Sequence, residues 1–334
     1  MAHHIADFNR VVVTGGSGFI GTNLVEALTS TGVSVLSLDI KPPKNPAHIH
    51  VYRTCNILDD CTLERLMREF EPDALVHLAA RTDLVEDGEL QTYTANITGV
   101  ENVLKGISTI PSIRRALFIS SKLVNKNGEI GERTTDYTPD TLYGQSKALG
   151  EEMVRNNPPG CEWAMVRPTS IWGPWFDAPY RGFFRAVVNG TYFHLTGCDL
   201  PKRFGYVGNA VKQIISLMEC PAAQMNGETF YLADYYVTTI RKWADGISEQ
   251  VRGKRNLSAP AWVVKIAANV GDIAKLCGIA EPPLSSFRLR NLSTPTADVP
   301  LENIKLVTGA LPFTLEDGIR LTLQWMENPD RTIK

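Results

Sequence analysis

Six cysteines, Cys55, Cys61, Cys161, Cys198, Cys220 and Cys277, are scattered through the 334 residues without one C-x-x-C pair. That spacing offers neither a zinc knuckle nor a disulfide framework, so no metal is expected, and reduced thiols suit a cytoplasmic setting. Excess charge is also missing. The 34 basic and 36 acidic side chains leave a formal charge of −2, which gives no general attraction for nucleic acid. Long hydrophobic runs are absent too: the longest apolar stretch, residues 259–280, is interrupted by Lys265, Asp272 and Lys275. It falls short of the ~20 residues of a spanning helix, so a core-facing helix is expected and no membrane segment. Residues 1–9 contain His3 and His4 but no apolar h-region, which argues against a secretory signal. No internal repeat or low-complexity tract interrupts a composition of 43% apolar and 21% charged residues, that of a globular protein.

What is present is a regular alternation. Residues 10–14 form a short apolar strand that runs into a glycine turn, and Leu24, Val25 and Leu28 then begin a helical pattern. A second apolar run over 33–40 carries Asp39 near its end and stops at Pro42 and Pro43, completing a βαβ unit. Leu63, Leu66, Met67 and Phe70 predict a helix over 62–70, leading into a strand at 74–78. Helices are predicted at 96–107 and 142–155, and strands at 116–120 and 162–167. Such alternation implies an α/β fold, a Rossmann-like doubly wound parallel sheet of about seven strands. After Pro168 the texture changes to loops over a pocket, as far as Pro201. A helix follows around Val211, Ile214, Ile215 and Met218, then a strand at 228–232 that joins the sheet. From Thr239 helices dominate, and the last, 315–326, is expected to bury Ile319, Leu323 and Met326.

The glycine turn spells G-x-G-x-x-G at Gly16, Gly18 and Gly21, between a strand and a helix. Bare backbone at such a turn approaches a pyrophosphate closely, and the free N–H groups of the helix start favour its charge. Asp39 stands 18 residues beyond Gly21. Its carboxylate accepts hydrogen bonds from a ribose diol and repels a 2′-phosphate, which favours NAD over NADP, with Lys41 and Lys44 close enough to qualify the preference. The alternative is that Asp39 only caps a turn. Tyr143 and Lys147 form a Y-x-x-x-K element whose side chains project from one helical face. A neighbouring ammonium is expected to draw the phenol toward a useful pKa. Of the serines closing the preceding strand, Ser121 is chosen for the reacting oxygen, with Ser120 structural.

With these residues in view, the chain resembles the extended short-chain dehydrogenase/reductases, the NAD-dependent epimerase/dehydratase superfamily. The matching segments are 14–21, Asp39, His77 to Ala80, Asn96, Ser120-Ser121, Tyr143 with Lys147, and 167–174, which together span nearly the whole length. The resemblance implies a catalytic triad of Ser121, Tyr143 and Lys147. It implies cofactor contacts at Gly15, Gly18, Phe19, Ile20, Gly21, Asp39, Leu78, Ala79, Ala80, Asn96, Tyr143, Lys147 and Pro168. Asn56-Ile57 stands where many relatives have Asp-Ile against adenine. The implied domains are an NAD-binding unit, residues 1–173 and about 206–240, and a smaller, mainly helical substrate region, 174–205 and about 241–334. Relatives dimerise through helices that correspond to 96–107 and 142–155, so a homodimer is expected.

The implied chemistry is hydride transfer between NAD and a secondary alcohol or ketone, first of a nucleotide sugar, by a 4-epimerase or ketoreductase. Ser121-Lys122-Leu123 lacks the acid of the dehydratases. Neither the cysteine nor the histidine of the fucose-synthase type is present. Arg81, Ser121, Ser170, Arg181, Lys202, Arg203 and Arg288 are the expected substrate residues, with guanidinium forks suited to a diphosphate. Trp172, Trp175, Phe176 and Tyr180 line the substrate cleft or pack as a lid. Tyr206-Val207-Gly208-Asn209 and residues 282–290 look more like the 3β-hydroxysteroid dehydrogenase branch, which leaves an apolar alcohol as the alternative substrate. A dinucleotide sensor without activity is the third reading.

Overall fold

The computed structural model describes residues 8–83, 88–177, 179–197, 199–260, 294, 296 and 298–327. Strand β1 (Arg10–Thr14) passes through the glycine turn into helix α1 (Phe19–Ser30) and returns as β2 (Ser34–Asp39). A three-residue edge strand, β3 (Tyr52–Thr54), precedes α2 (Asp60–Phe70) and β4 (Ala74–His77). The alternation continues through α3 (Thr94–Ser108), β5 (Arg115–Ile119), α4 (Leu142–Asn156) and β6 (Glu162–Pro168). Next come β7 (Ser170–Trp172), α5 (Tyr180–Val188), β8 (His194–Leu195), β9 (Pro201–Lys202), β10 (Phe204–Tyr206), α6 (Val207–Glu219), β11 (Thr229–Leu232), β12 (Thr238–Thr239), α7 (Ile240–Arg252) and β13 (Ser258–Ala259).

Seven strands form one parallel sheet in the order β11-β6-β5-β4-β1-β2-β3. Alternate residues of each strand enter opposite cores, as a sheet covered on both faces requires. Val11 and Val13 pack with Leu24, Leu28 and Ile214 on one side, while Val12 packs with Leu63, Met67, Val103 and Ile107 on the other. The predicted strands and helices of the first 168 residues lie within a few positions of these elements; the short β3, with no apolar run of its own, is the addition.

Two expectations need correction. Residues 174–201, read as loops, contain α5. Tyr180, Phe183, Phe184 and Val187 fall at i, i+3, i+4 and i+7, a helical period set among prolines and glycines that draw attention to turns. The last helix, Leu315–Glu327, buries Leu315, Ile319, Thr322 and Trp325, leaving Leu323 and Met326 half-buried. Its inward stripe is turned toward Trp325, whose ring meets Trp175 and Phe176. The helix expected at 259–280 lies, after its first two residues, outside the described ones.

A buried ion pair ties α4 to the sheet. The Arg167 Nε donates to Glu151 Oε1 at 2.8 Å and its Nη2 to Oε2 at 2.7 Å, while Nη1 donates to the Tyr231 hydroxyl at 2.8 Å. Both partners of the pair are 1% exposed. Arg167→Met removes the bidentate partner of the buried Glu151 carboxylate, leaving it the Tyr137 hydroxyl at 3.2 Å and the Arg155 guanidinium at 3.8 Å, and chemical denaturation is expected to show a loss of ~3 kcal/mol; an unchanged midpoint and slope contradict this account of the clamp.

Candidate active site

Strand order reverses between β1 and β4, and the crevice on the C-terminal side of such a reversal is where doubly wound sheets hold ligands. Gly15 to Gly21 form one lip and Leu78 to Arg81 the other. The lips touch. Gly15 has φ +75°, and a Cβ on it would lie 2.5 Å from the Ala79 nitrogen, while one on Gly21 would lie 2.2 Å from the Gly15 carbonyl oxygen. Gly18 is the N-cap of α1 and no side chain caps it, so the amides at Phe19 and Ile20 belong to an uncapped first turn. Bare backbone pressed to the crevice above an uncapped helix start fits a pyrophosphate.

Asp39 closes β2 at the edge of this cradle. Its Oδ2 accepts from the Ser17 N–H and its Oδ1 from the Lys41 N–H, each at 3.0 Å. The capping alternative is therefore part of its job, and carboxylate lone pairs remain for a diol. Lys44 donates to the Asp177 carboxylate and the Trp175 carbonyl, which ties down one of the two cations able to meet a 2′-phosphate. Across the crevice, the Thr14 hydroxyl and His77 Nδ1 share a 2.8 Å hydrogen bond. Burial, with the Lys147 charge second, pushes His77 down to about 3, so its ring is neutral. Neither Thr14 nor this role for His77 was singled out in the sequence, where no local spacing links them.

Asn96 lies on α3, and its side chain is spent on the chain itself. Its Oδ1 accepts from the Arg81 N–H at 2.8 Å, and its Nδ2 donates to the Arg81 carbonyl and the Ser146 hydroxyl at 3.0 and 2.8 Å. It positions the 79–81 segment. Asn56 is exposed and folds back on the Leu58 N–H at 3.1 Å, while Ile57 is buried against Gly99. Pro168 ends β6 beside Leu232.

The hydroxyl-bearing groups meet because α4 starts hard against the turn after β5. A Cβ on Gly144 would lie 2.1 Å from the Leu123 carbonyl, so glycine lets the helix press on the short turn Lys122–Val124 that Ser121 caps. Ser121 Oγ accepts from the Leu123 N–H at 3.1 Å. Burial pushes Tyr143 up to about 12, with Ser121 pulling it back in part. Lys147 Nζ donates to the Ile119 carbonyl at 2.7 Å. Burial pulls its ammonium down to about 8, against the opposing charge of Glu151. In the chain without NAD, withdrawal from water is the largest effect on both groups.

The expected substrate residues are mostly occupied. Arg81 Nε and Nη2 pair with Asp83 at 2.6 and 2.7 Å, and its Nη1 donates to the Thr92 carbonyl. Lys202 is 3% exposed and donates to the Thr294 carbonyl. Arg203 donates to the Asp234 and Tyr235 carbonyls at 3.3 and 2.7 Å. Ser170 is half-buried, and Arg181 lies over the Trp325 ring at 5.5 Å. Arg288 lies outside the described residues. Trp172, Phe176 and Phe184 are buried in one aromatic cluster with Trp243; Trp175 and Tyr180 border it half-buried. The packed lid is thus the better description of the four rings. Asn209 clasps the Phe313 backbone and the buried Asp234 carboxylate, which gives the 206–209 run a structural role. Among the described residues no three His, Cys, Asp or Glu side chains are grouped to hold a metal ion, and no helix is long and apolar enough to cross a membrane.

Residues 11–233 match the model of the NAD dependent epimerase/dehydratase family. The chain is 27% identical over 246 residues to a 3-beta-hydroxysteroid dehydrogenase of Mycolicibacterium neoaurum, a match covering 68% of this chain and 66% of that one. It is 26% identical over 331 residues to a UDP-glucose 4-epimerase of Vibrio cholerae, covering 94% of each. Its fold is that of the UDP-glucuronic acid 4-epimerase from Bacillus cereus solved in complex with NAD, with a TM-score of 0.71, 18% identity, and coverage of 96% of this chain and 100% of that one.

In calorimetric titrations NADP is expected to bind at least about tenfold more weakly than NAD, and Asp39→Ala to narrow the difference. Equal affinities in the unsubstituted chain contradict the placement of Asp39.

Proposed function

Since this chain belongs to the NAD dependent epimerase/dehydratase family, we propose that it moves a hydride between NAD and a secondary alcohol or ketone of a nucleotide sugar, as a 4-epimerase or ketoreductase. The observation that carries this reading is the placement of Tyr143 and Lys147 one helical turn apart on α4, whose start is pressed at Gly144 against the turn that Ser121 caps. NAD is the cofactor, and when bound it takes or returns the hydride at its nicotinamide.

The chain's own residues handle the proton. In the reducing direction Tyr143, whose phenol holds its proton firmly, donates it to the substrate oxygen as the carbonyl becomes a carbinol. Ser121 orients that oxygen by hydrogen bonding, and the Lys147 ammonium stabilises the phenolate left behind. In oxidation the carbinol proton returns to Tyr143 Oη as its carbon gives up the hydride. An epimerase returns the hydride to the opposite face of the same ketone; a reductase releases its product.

The nucleotide sugar is favoured by the match to the Vibrio epimerase, which runs through both the cofactor half and the substrate half. An apolar, hydroxysteroid-like alcohol is the second reading, favoured by the engagement of Arg81, Lys202 and Arg203 with the chain itself. The proposal includes the division into a cofactor unit, residues 1–173 and about 206–240, and a substrate unit, residues 174–205 and about 241–334. A homodimer through α3 and α4 and a cytoplasmic setting complete it.

Tyr143→Phe deletes only the hydroxyl. NAD affinity is expected to persist while turnover falls at least ~10²-fold; turnover that survives overturns the assignment. Thermal unfolding with NAD and a panel of UDP-, GDP- and dTDP-sugars and sterols separates the substrates, since a ligand bound by the native state raises its melting temperature. A shift with one nucleotide series supports the first reading, and a shift with sterols alone replaces it by the second.

A further inference from the structure

Lys122 follows Ser121 directly and begins the turn that Ser121 caps. It is only 7% exposed, and its Nζ is buried without a hydrogen-bond partner among the described residues. An ammonium has three donors to satisfy and no acceptor, so a chain that buries one unpaired has left an unfavourable arrangement in place. Two carboxylates act on it through space, Asp140 and Glu129, against the burial that lowers its proton affinity. Both are exposed, and Glu129 is already paired with Lys126 at 2.5 Å. The chain therefore holds a positive group one residue from Ser121 and supplies no acceptor for it.

We propose that Lys122 reads the substrate: its ammonium receives a carboxylate carried beside the carbinol carbon that Tyr143 and Ser121 address. This inference rests on the hydride-transfer site proposed above. A carboxylate supplies both things Lys122 lacks, since its two oxygens accept charge-assisted hydrogen bonds and its charge cancels that of the ammonium. The turn that Lys122 begins is pressed against the start of α4 at Gly144, next to Tyr143, and on that placement the contact is assigned to the reacting end of the substrate. A diphosphate on the anomeric carbon of a hexose stands across the sugar ring from a reacting 4-position, so it is the poorer match.

The test uses the full chain loaded with NAD and two matched pairs of probes. One pair is UDP-glucose and UDP-glucuronic acid; the other is a 3β-hydroxy sterol and the same skeleton with a carboxylate on C4, next to the 3β-carbinol. Within the pair that binds, the acid is expected to bind at least about tenfold more tightly than the neutral member in calorimetry. Lys122→Met should bring that ratio close to one, and Lys122→Arg, which keeps the charge, should preserve a preference for the acid. Relief of the unpaired charge should also raise the melting temperature of ligand-free Lys122→Met. A ratio near one in the unsubstituted chain, or a ratio unchanged by Lys122→Met, overturns this inference and leaves the hydride-transfer reading standing. A Lys122→Met chain that does not fold makes the lysine structural and overturns it as well. Failure of all four probes to bind removes both substrate readings, and this inference with them.

Discussion

Tyr143, Lys147 and Glu151 stand four residues apart on α4, so their side chains share the face that meets the ends of β5 and β6. The sheet side meets them with the turn that Ser121 caps at the Tyr143 end, the Ile119 carbonyl for the ammonium, and Arg167 for the carboxylate. Burial, more than any single neighbour, sets the state of the first two, keeping the proton on Tyr143 and loosening it on Lys147. A polar stripe along a helix is stable in this position only because the Arg167 fork holds its far end and glycine at 144 lets its near end close on the Ser121 turn.

The same economy of backbone governs the cofactor side. Gly15 and Gly21 let the turn after β1 touch the segment after β4, and Asn96 fixes that segment by its backbone at Arg81. Beyond β6, the aromatic rings around Trp172 and Trp243 pack into one wall, with Trp175 joining the last helix through Trp325. Charged residues there mostly tie strands and loops together, as Lys202 and Arg203 do.

Much of this was legible in the sequence wherever the chemistry is local. The glycine turn, Asp39 and the Tyr143–Lys147 pair are set by spacing within one turn or one helix, and the sheet followed from apolar runs. Long-range pairings were not legible. Arg167 and Glu151 are 16 residues apart, and Asn96 and Ser146 are 50 apart; nothing in either segment marks its partner. Glu151 did carry a signal, its position four residues beyond Lys147. The environment was the larger omission: a tyrosine and lysine on one face suggest mutual stabilisation, and only the packing reveals that Lys147 is buried and Tyr143 half-buried. Lys122 was noted for the acid it replaces, whereas its significance comes from being covered.

The central claim is that burial of this α4 face controls its protons. In the folded chain Lys147 binds its proton less tightly than in the unfolded chain, so its destabilising effect is full below about 8 and is relieved as pH rises toward 10.5. The most direct measurement is an NMR titration of lysine labelled at the ε-carbon in the cofactor-free protein, with Lys147→Met to assign the signal. The account predicts a Lys147 midpoint near 8; a midpoint at the ordinary 10.5 would contradict it.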